Sequence, residues 1–288
     1  MVAVHELCAS MDALAALGAE LRRRREGLPV SPAVHELLDE VVRRIDPDLL
    51  TGVTTDQEAT ALGIIESFFR QAADLLERPA RAPGWSYEEP LVINGQGMTS
   101  RAFVRTFEAA AAKIPDFKAM LAQPGTFLDV GTGAGWLAIE LTRRWPTWKV
   151  VGIDRWRPAL DLARVNIAAG GTQSRIELRC QDVEQLEDEG VFSLAWLPGP
   201  FLSAETVTRA LVRIRRALVP GGWLVFSLFA PGRARWGEAL TTLKMVRNGG
   251  HPWKKEESEA RLSSLGFGQI NSFSTPGSTV TVGQRGHA

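Results

Sequence analysis

The residues of this chain whose types and spacing could do chemistry fall in four places. The run Asp129-Val-Gly-Thr-Gly-Ala-Gly135 sets three glycines, Gly131, Gly133 and Gly135, at alternate positions behind an acid. Asp154 closes the apolar run Trp148 to Ile153, and Asp182-Val183 follows the run Arg175 to Cys180. His251 stands in Gly249-Gly-His-Pro-Trp253. Alternate glycines supply backbone angles that side chains forbid, and they let a ligand come close to the main chain. Phe127-Leu128 before the loop, and Leu137 and Leu141 after it, read as strand, tight turn and helix. A helix that starts on such a loop aims free N–H groups and its positive dipole end at whatever lies above. The stretch is therefore a cradle of the kind that holds nucleotides.

Asp154 lies 23 residues beyond Gly131, near the spacing of about 20 at which a carboxylate reaches a ribose hydroxyl. A carboxylate suits a vicinal diol because it accepts two hydrogen bonds at once. Trp156 offers a flat face to a base, or a hydrophobic lid over the next helix. Asp182 either binds or caps the turn that follows it. Histidine titrates near about 6.5 in water, which fits a general base at neutral pH. His251 has that role as its sharper reading and a surface loop histidine as its plainer one. It shares the segment Ala230 to Lys255 with Arg233, Arg235, Trp236 and Trp253, while His5, His35 and His287 lie in the helical prefix and at the tail.

The elements that must position these groups follow from periodicity. Val4, Leu7, Met11, Leu14, Leu17 and Leu21 recur at three- and four-residue steps, one apolar stripe of a helix. Arg22 to Arg25 close it, as a solvated helix end or a nucleic-acid patch. Further helices are expected from Ser31-Pro32 to about Ile45 and from Thr55 to Leu76. From Glu77 to about Gly97 prolines and glycines mark a connection. A helix from about Ser100 to Leu121 is split at Pro115. Beyond the glycine loop, strands and helices alternate: Trp148–Ile153, Pro158–Ala169, Arg175–Cys180, Phe192–Leu197, Ala204–Ala217 and Trp223–Phe229. A helix over Glu256–Leu265 and strands over Phe267–Phe273 and Thr279–Val282 finish the chain.

The glycine spacing separates two kinds of cradle. The dinucleotide pattern G-x-G-x-x-G would put its last glycine at Trp136, where helix and strand must pack closely. The acid followed by G-x-G-x-G, the acids after the second and third strands, Pro220-Gly-Gly222 before the fifth and the closing strand pair resemble the class I S-adenosylmethionine-dependent methyltransferases. The resemblance covers about residues 95 to 285. It implies an α/β fold: a Rossmann-like, doubly wound, mostly parallel seven-stranded sheet with one antiparallel strand, preceded by an all-helical N-terminal region. S-adenosyl-L-methionine is the implied cofactor. Asp129, Gly131, Gly133, Gly135, Asp154, Trp156, Asp182, Val183 and Leu197 are its implied contacts, Asp182 and Val183 at the adenine. The resemblance also sets Asn94 to Ser100 over the cofactor's amino-acid end, with Arg101 near its carboxylate. Leu197-Pro-Gly-Pro200 stands where base-methylating members carry Asn/Asp-Pro-Pro-aromatic, so a small molecule is the expected acceptor, a hydroxyl being slightly favoured. An NAD(P)-dependent oxidoreductase and a binding protein without transferase activity are the alternatives.

Composition bounds the partners. Lys plus Arg equals Asp plus Glu at 33 each, without the basic excess of a dedicated nucleic-acid binder. Cys8 and Cys180 have neither C-x-x-C nor metal-ligand spacing, which suits a reducing cytoplasm and no metal. No apolar run of spanning length and no signal-peptide pattern are read, so no membrane partner is expected. The expected organisation is a helical region over 1–80, a linker over 81–99 and a cofactor-binding domain over 100–288. The helical region serves the acceptor side as a lid or forms a homodimer.

Overall fold

The computed structural model describes residues 1–230, 232, 234–275 and 278–286; Arg233 and His287 lie outside them. The chain divides into two compact units, one of Met1–Pro79 with Glu89–Thr99, the other of Ala80–Glu88 with Ser100–Ala288.

The first unit is four helices, α1 (Val2–Glu26), α2 (Pro32–Ile45), α3 (Thr55–Glu77) and α4 (Pro90–Met98). Ser31 caps α2 through Val34 N–H, with Pro32 at the first helical position, where a missing N–H costs nothing. Thr54, one residue before the expected start, caps α3 in a reciprocal box with Gln57. Leu21, Leu62 and Ile65 form its buried centre. Near Gly63 and Gly95, α3 and α4 approach backbone to backbone: a Cβ on Gly95 would lie 2.1 Å from the Gly63 carbonyl oxygen. Ser67 Oγ donates to the Val92 carbonyl beside it at 3.0 Å. The arginines after the apolar stripe are neither a bare basic patch nor simply solvated. Arg22 pairs with Glu66, Arg23 with Glu20 at 2.8 Å and Arg24 with Glu58 at 3.2 Å. By length and composition alone, α1 is apolar enough to cross a membrane, which corrects the expectation that no run is.

The second unit is a seven-stranded sheet in the order β3-β2-β1-β4-β5-β7-β6. Its strands are β1 (Thr126–Val130), β2 (Lys149–Asp154), β3 (Ile176–Cys180), β4 (Phe192–Pro198), β5 (Leu218–Phe229), β6 (Phe267–Thr275) and β7 (Ser278–Arg285). The first five run parallel, and β7 enters antiparallel between β5 and β6. The expected doubly wound, mostly parallel sheet is therefore present. Successive strand residues face opposite sides. Phe127, Val150, Leu194, Trp223 and Val225 join one apolar layer; Leu128, Val151, Ala195, Leu224 and Phe226 join the other. Both faces are covered, which is why these strands read as continuous apolar runs. The first layer is completed from α5 (Phe103–Lys113), α6 (Pro115–Leu121), α7 (Trp136–Arg144) and α8 (Arg157–Ala169), the second from α9 (Ala204–Ala217) and a later helix over Lys255–Ser264.

Two helices were not read from the sequence. α4 occupies part of the expected connection, and α10 (Gly237–Arg247) occupies the segment after β5; the Lys255–Ser264 helix is thus α11. Asn94 to Met98, assigned by resemblance to the cofactor's amino-acid end, form the second half of α4 in the first unit.

Candidate functional site

The glycine loop joins β1 to α7 at the carboxyl edge of the sheet, where such sheets bind ligands. Gly131, Gly133 and Gly135 have φ of 64°, 56° and 80°, left-handed values that a side chain disfavours. The loop is pinned to the neighbouring strand: Gly131 and Thr132 N–H both donate to the Ile153 carbonyl, at 2.8 and 3.1 Å. Asp154, the last residue of β2, accepts from Gly133 N–H at 2.9 Å and from Trp156 N–H at 2.8 Å. A Cβ on Gly131 would meet Pro198 at 3.2 Å, so the end of β4 closes on the same loop. A Cβ on Gly133 would meet nothing nearer than Gly131 O at 3.8 Å. The cradle thus presents backbone to open space.

Asp129 lies behind the loop, buried, and accepts from Thr132 Oγ1 at 2.7 Å. Thr132 owes its place to Gly152 on β2, whose absent side chain leaves room for it: a Cβ there would lie 2.8 Å from Thr132 Oγ1. Burial pushes the Asp129 carboxyl up to about 7; the Thr132 hydrogen bond opposes the shift and the charge of Asp154 adds to it. Asp154 is also raised, again by burial, with the Trp156 and Gly133 N–H groups opposing.

The remaining expected residues sit at neighbouring strand ends. Asp182 follows β3 and caps the turn over Val183–Gln185, accepting from Glu184 N–H at 3.0 Å; Arg155 stands 3.7 Å from its other oxygen. Val183 and Leu197 are buried, their side chains in the second apolar layer, so only their main chains can face a ligand. Trp156 caps α8 and donates from Nε1 to the Tyr87 carbonyl at 2.8 Å. Arg101 meets a carboxylate of this chain: Glu140 accepts from its Nε and Nη2 at 3.0 and 2.7 Å, and its guanidinium lies 5.0 Å from the Trp136 ring centroid.

His251 belongs to the β4–β5 side. Its N–H donates to the Leu202 carbonyl at 3.2 Å, and its Nε2 is 3.4 Å from Glu257 Oε1. Its ring stands edge-on to Trp253, which packs on Phe226. Sequence reasoning missed Thr132, Glu257 and a row of aromatic rings, Trp85, Phe201 and Phe229, in successive edge contacts at 5.9 and 5.8 Å. Only Thr132 left a local signal, a hydroxyl three residues beyond an acid.

Because the folded state holds the Asp129 proton more tightly than the unfolded chain, its contribution is complete below about pH 4 and lost by about pH 7. Asp129→Asn keeps the acceptor for Thr132 and removes the titration. Over that interval the native protein should lose stability relative to the variant by up to about 1.4 kcal/mol per pH unit, then run parallel to it above pH 7. Urea melts giving parallel profiles throughout would refute the assignment.

A protein-family model for a methyltransferase domain matches residues 127–222. Malonyl-[acyl-carrier protein] O-methyltransferase of Geobacter sulfurreducens is 31% identical over 159 residues, 52% of this chain and 58% of that protein; the match therefore spans little more than half of the relative. Two solved structures align along nearly the whole chain. An O-methyltransferase family protein from Burkholderia thailandensis gives a TM-score of 0.66 at 15% identity, covering 99% of this chain and 98% of its own. Human N-acetylserotonin methyltransferase, solved with S-adenosylmethionine, gives 0.68 at 16%, covering 98% and 96%. At such identities these two speak for the fold, helical region included. The glycine cradle, the strand order and the matched domain together identify residues 127–222 as a methyltransferase domain, laid out as in the class I S-adenosylmethionine-dependent methyltransferases.

Proposed function

We propose that this protein transfers the methyl group of S-adenosylmethionine to a small-molecule acceptor, a hydroxyl being favoured. The observation that carries this reading is the bare glycine cradle pinned to Asp154 at adjacent strand ends. The donor set fits the cofactor. Asp154 accepts from the main-chain N–H groups of Gly133 and Trp156, and a carboxylate is the acceptor a ribose diol requires. In this reading Asp182 and the Val183 main chain serve the adenine edge, Trp156 offers its face to the base, and the Leu197 main chain closes the β4 side. Asp129 backs Gly131, Gly133 and Gly135.

The bound sulfonium supplies an activated methyl group. The protein's own part is orientation and exclusion of water. His251 takes the proton of an acceptor hydroxyl, with Glu257 beside its Nε2; a neutral amine would need no such base until after attack. The zero net charge and Leu197-Pro-Gly-Pro200 favour small molecules over nucleic acid. Cys8 and Cys180, exposed and unpaired, suit the reducing cytoplasm.

Calorimetry should show S-adenosylmethionine binding that Asp154→Ala weakens by about 1–3 kcal/mol, the range for hydrogen bonds to a charged group. Labelled methyl should pass to a metabolite extract and not to DNA or RNA. Binding of NAD in its place, or label on nucleic acid, would sink the reading. His251→Ala should cut turnover by on the order of 10²-fold while cofactor affinity stays nearly constant; a variant keeping most of its activity would place the base elsewhere.

The helical region has a further role in this reading. Val4, Leu7, Met11, Leu14, Gly18 and Leu21 lie on one seam of α1. Gly18 and Leu21 are buried and Gly18 adjoins Leu62 and Ile65, whereas the first four are exposed. The open half holds no Lys or Arg, unlike a helix that lies on anionic lipid, and Leu21 anchors the other half in the core. A second copy of the chain covers it, with the small residues Ala3, Cys8, Ser10 and Ala15 flanking the seam without like-charge repulsion. Sedimentation should find a dimer that Leu7→Glu with Met11→Glu converts to monomer; a native monomer at micromolar concentration would contradict this.

A further inference from the structure

The short segment 80–88 belongs to the sheet unit, and its bonds to Trp156 and Arg247 reach far along the chain. At its end nearest the cradle, Trp156 Nε1 donates to the Tyr87 carbonyl at 2.8 Å. Trp156 is itself placed by Asp154, which accepts its main-chain N–H and that of Gly133. The other end is held by Gly84 N–H, which donates to the Arg247 carbonyl at the end of α10 at 3.0 Å. Arg81 braces the segment internally, donating to the Gly84 carbonyl at 2.7 Å and Ser86 Oγ at 2.8 Å. A Cβ on Gly249 would lie 3.2 Å from Gly84 Cα, so the two chains run in backbone contact two residues before His251. Between these anchors Trp85 sets its edge against Phe201, beyond β4, and Phe201 in turn touches Phe229 at the end of β5. The segment thus spans from the end of β2 to the aromatic side of the edge.

We propose that Trp156 is a positioning residue: its indole N–H latches the strap 80–88 to the end of β2, so that filling the cradle and closing the strap over the acceptor side are coupled. The coupling rests on the cofactor reading given above, since Asp154 is the group both share. A ligand that fixes Asp154 fixes the Trp156 main chain, holds the indole at the Tyr87 carbonyl, and lowers the frequency with which the strap opens. By linkage, a closed strap raises affinity for that ligand by the same factor. The aromatic face of Trp156 and its N–H are separable, because phenylalanine retains a ring and lacks the donor.

The test is hydrogen exchange over residues 80–88 in the full-length protein, with and without S-adenosylhomocysteine, the demethylated cofactor. In the free protein Trp156→Phe should speed exchange about 3- to 10-fold, the loss expected for one net hydrogen bond; an unchanged rate overturns the latch. S-adenosylhomocysteine should slow strap exchange several-fold in the native protein and much less in the variant; equal protection in both overturns the coupling. Gly84 has φ 137°, so Gly84→Ala strains the strap from its other end without touching Trp156. It should show the same loss of cofactor-dependent protection, and full protection in that variant counts against the strap as the coupled element. Calorimetry on the native protein separates the two failures. Absent S-adenosylhomocysteine binding defeats the cofactor reading, whereas normal binding with an indifferent strap defeats this proposal alone.

Discussion

One carboxylate holds the working edge of this protein together. Asp154 stands where β2 leaves the sheet, drawn from water by the surrounding chain, and a desolvated carboxylate must find donors or lose its charge. It finds Gly133 N–H on one side and Trp156 N–H on the other. The first bond sets the height of the glycine loop above β1 and so the entry of α7. The second sets the start of α8 and the direction of the Trp156 indole. Two main-chain bonds from Gly131 and Thr132 to Ile153 make the same tie without a side chain. The cradle's shape is thus a consequence of β1–β2 register, fixed along Thr126–Val130 by pairing with Lys149–Ile153.

The two halves of the edge are built from different material. On the cradle side the surface offered is main chain and a few carboxylates, which any acceptor chemistry can share. On the β4–β5 side it is side chain: Trp85, Phe201, Phe229 and His251. Main-chain geometry survives wide changes of sequence as long as the glycines and strand register remain, whereas a wall of side chains changes with each substitution. This accounts for a family match confined to residues 127–222 and for curated relatives aligned over about half their length. It also explains why the proposed acceptor is harder to read than the proposed cofactor.

Much of the sheet was legible because parallel strands covered on both faces appear as unbroken apolar runs, each followed by a turn residue or an acid. The cradle was legible because left-handed backbone demands glycine at fixed positions. What escaped reading has physical reasons. Pro90 and the surrounding glycines suggested a connection, yet a proline at the first turn of α4 is compatible with a helix, and Gly95 is there because Gly63 lies against it. α10 buries Gly237 and Met245 and leaves Leu240, Leu243 and Val246 exposed, so its apolar pattern does not point to a single covered face. The bond from Trp156 to Tyr87 joins residues 69 apart in sequence, a distance at which periodicity carries no information.

Asp129 shows how far a residue's type can mislead about its state. In sequence it is an acid ahead of a glycine loop. In the fold it is buried one strand away from Asp154, and each negative charge there makes the other harder to hold. Thr132 offers one hydroxyl donor, less than a buried carboxylate needs, and the carboxyl retains its proton to about pH 7. Any cation entering the cleft favours the ionised form of both groups, and the attraction is stronger where water is excluded. The electrostatics of this edge therefore favour a positively charged guest, and they do so before any residue of the β4–β5 side is considered.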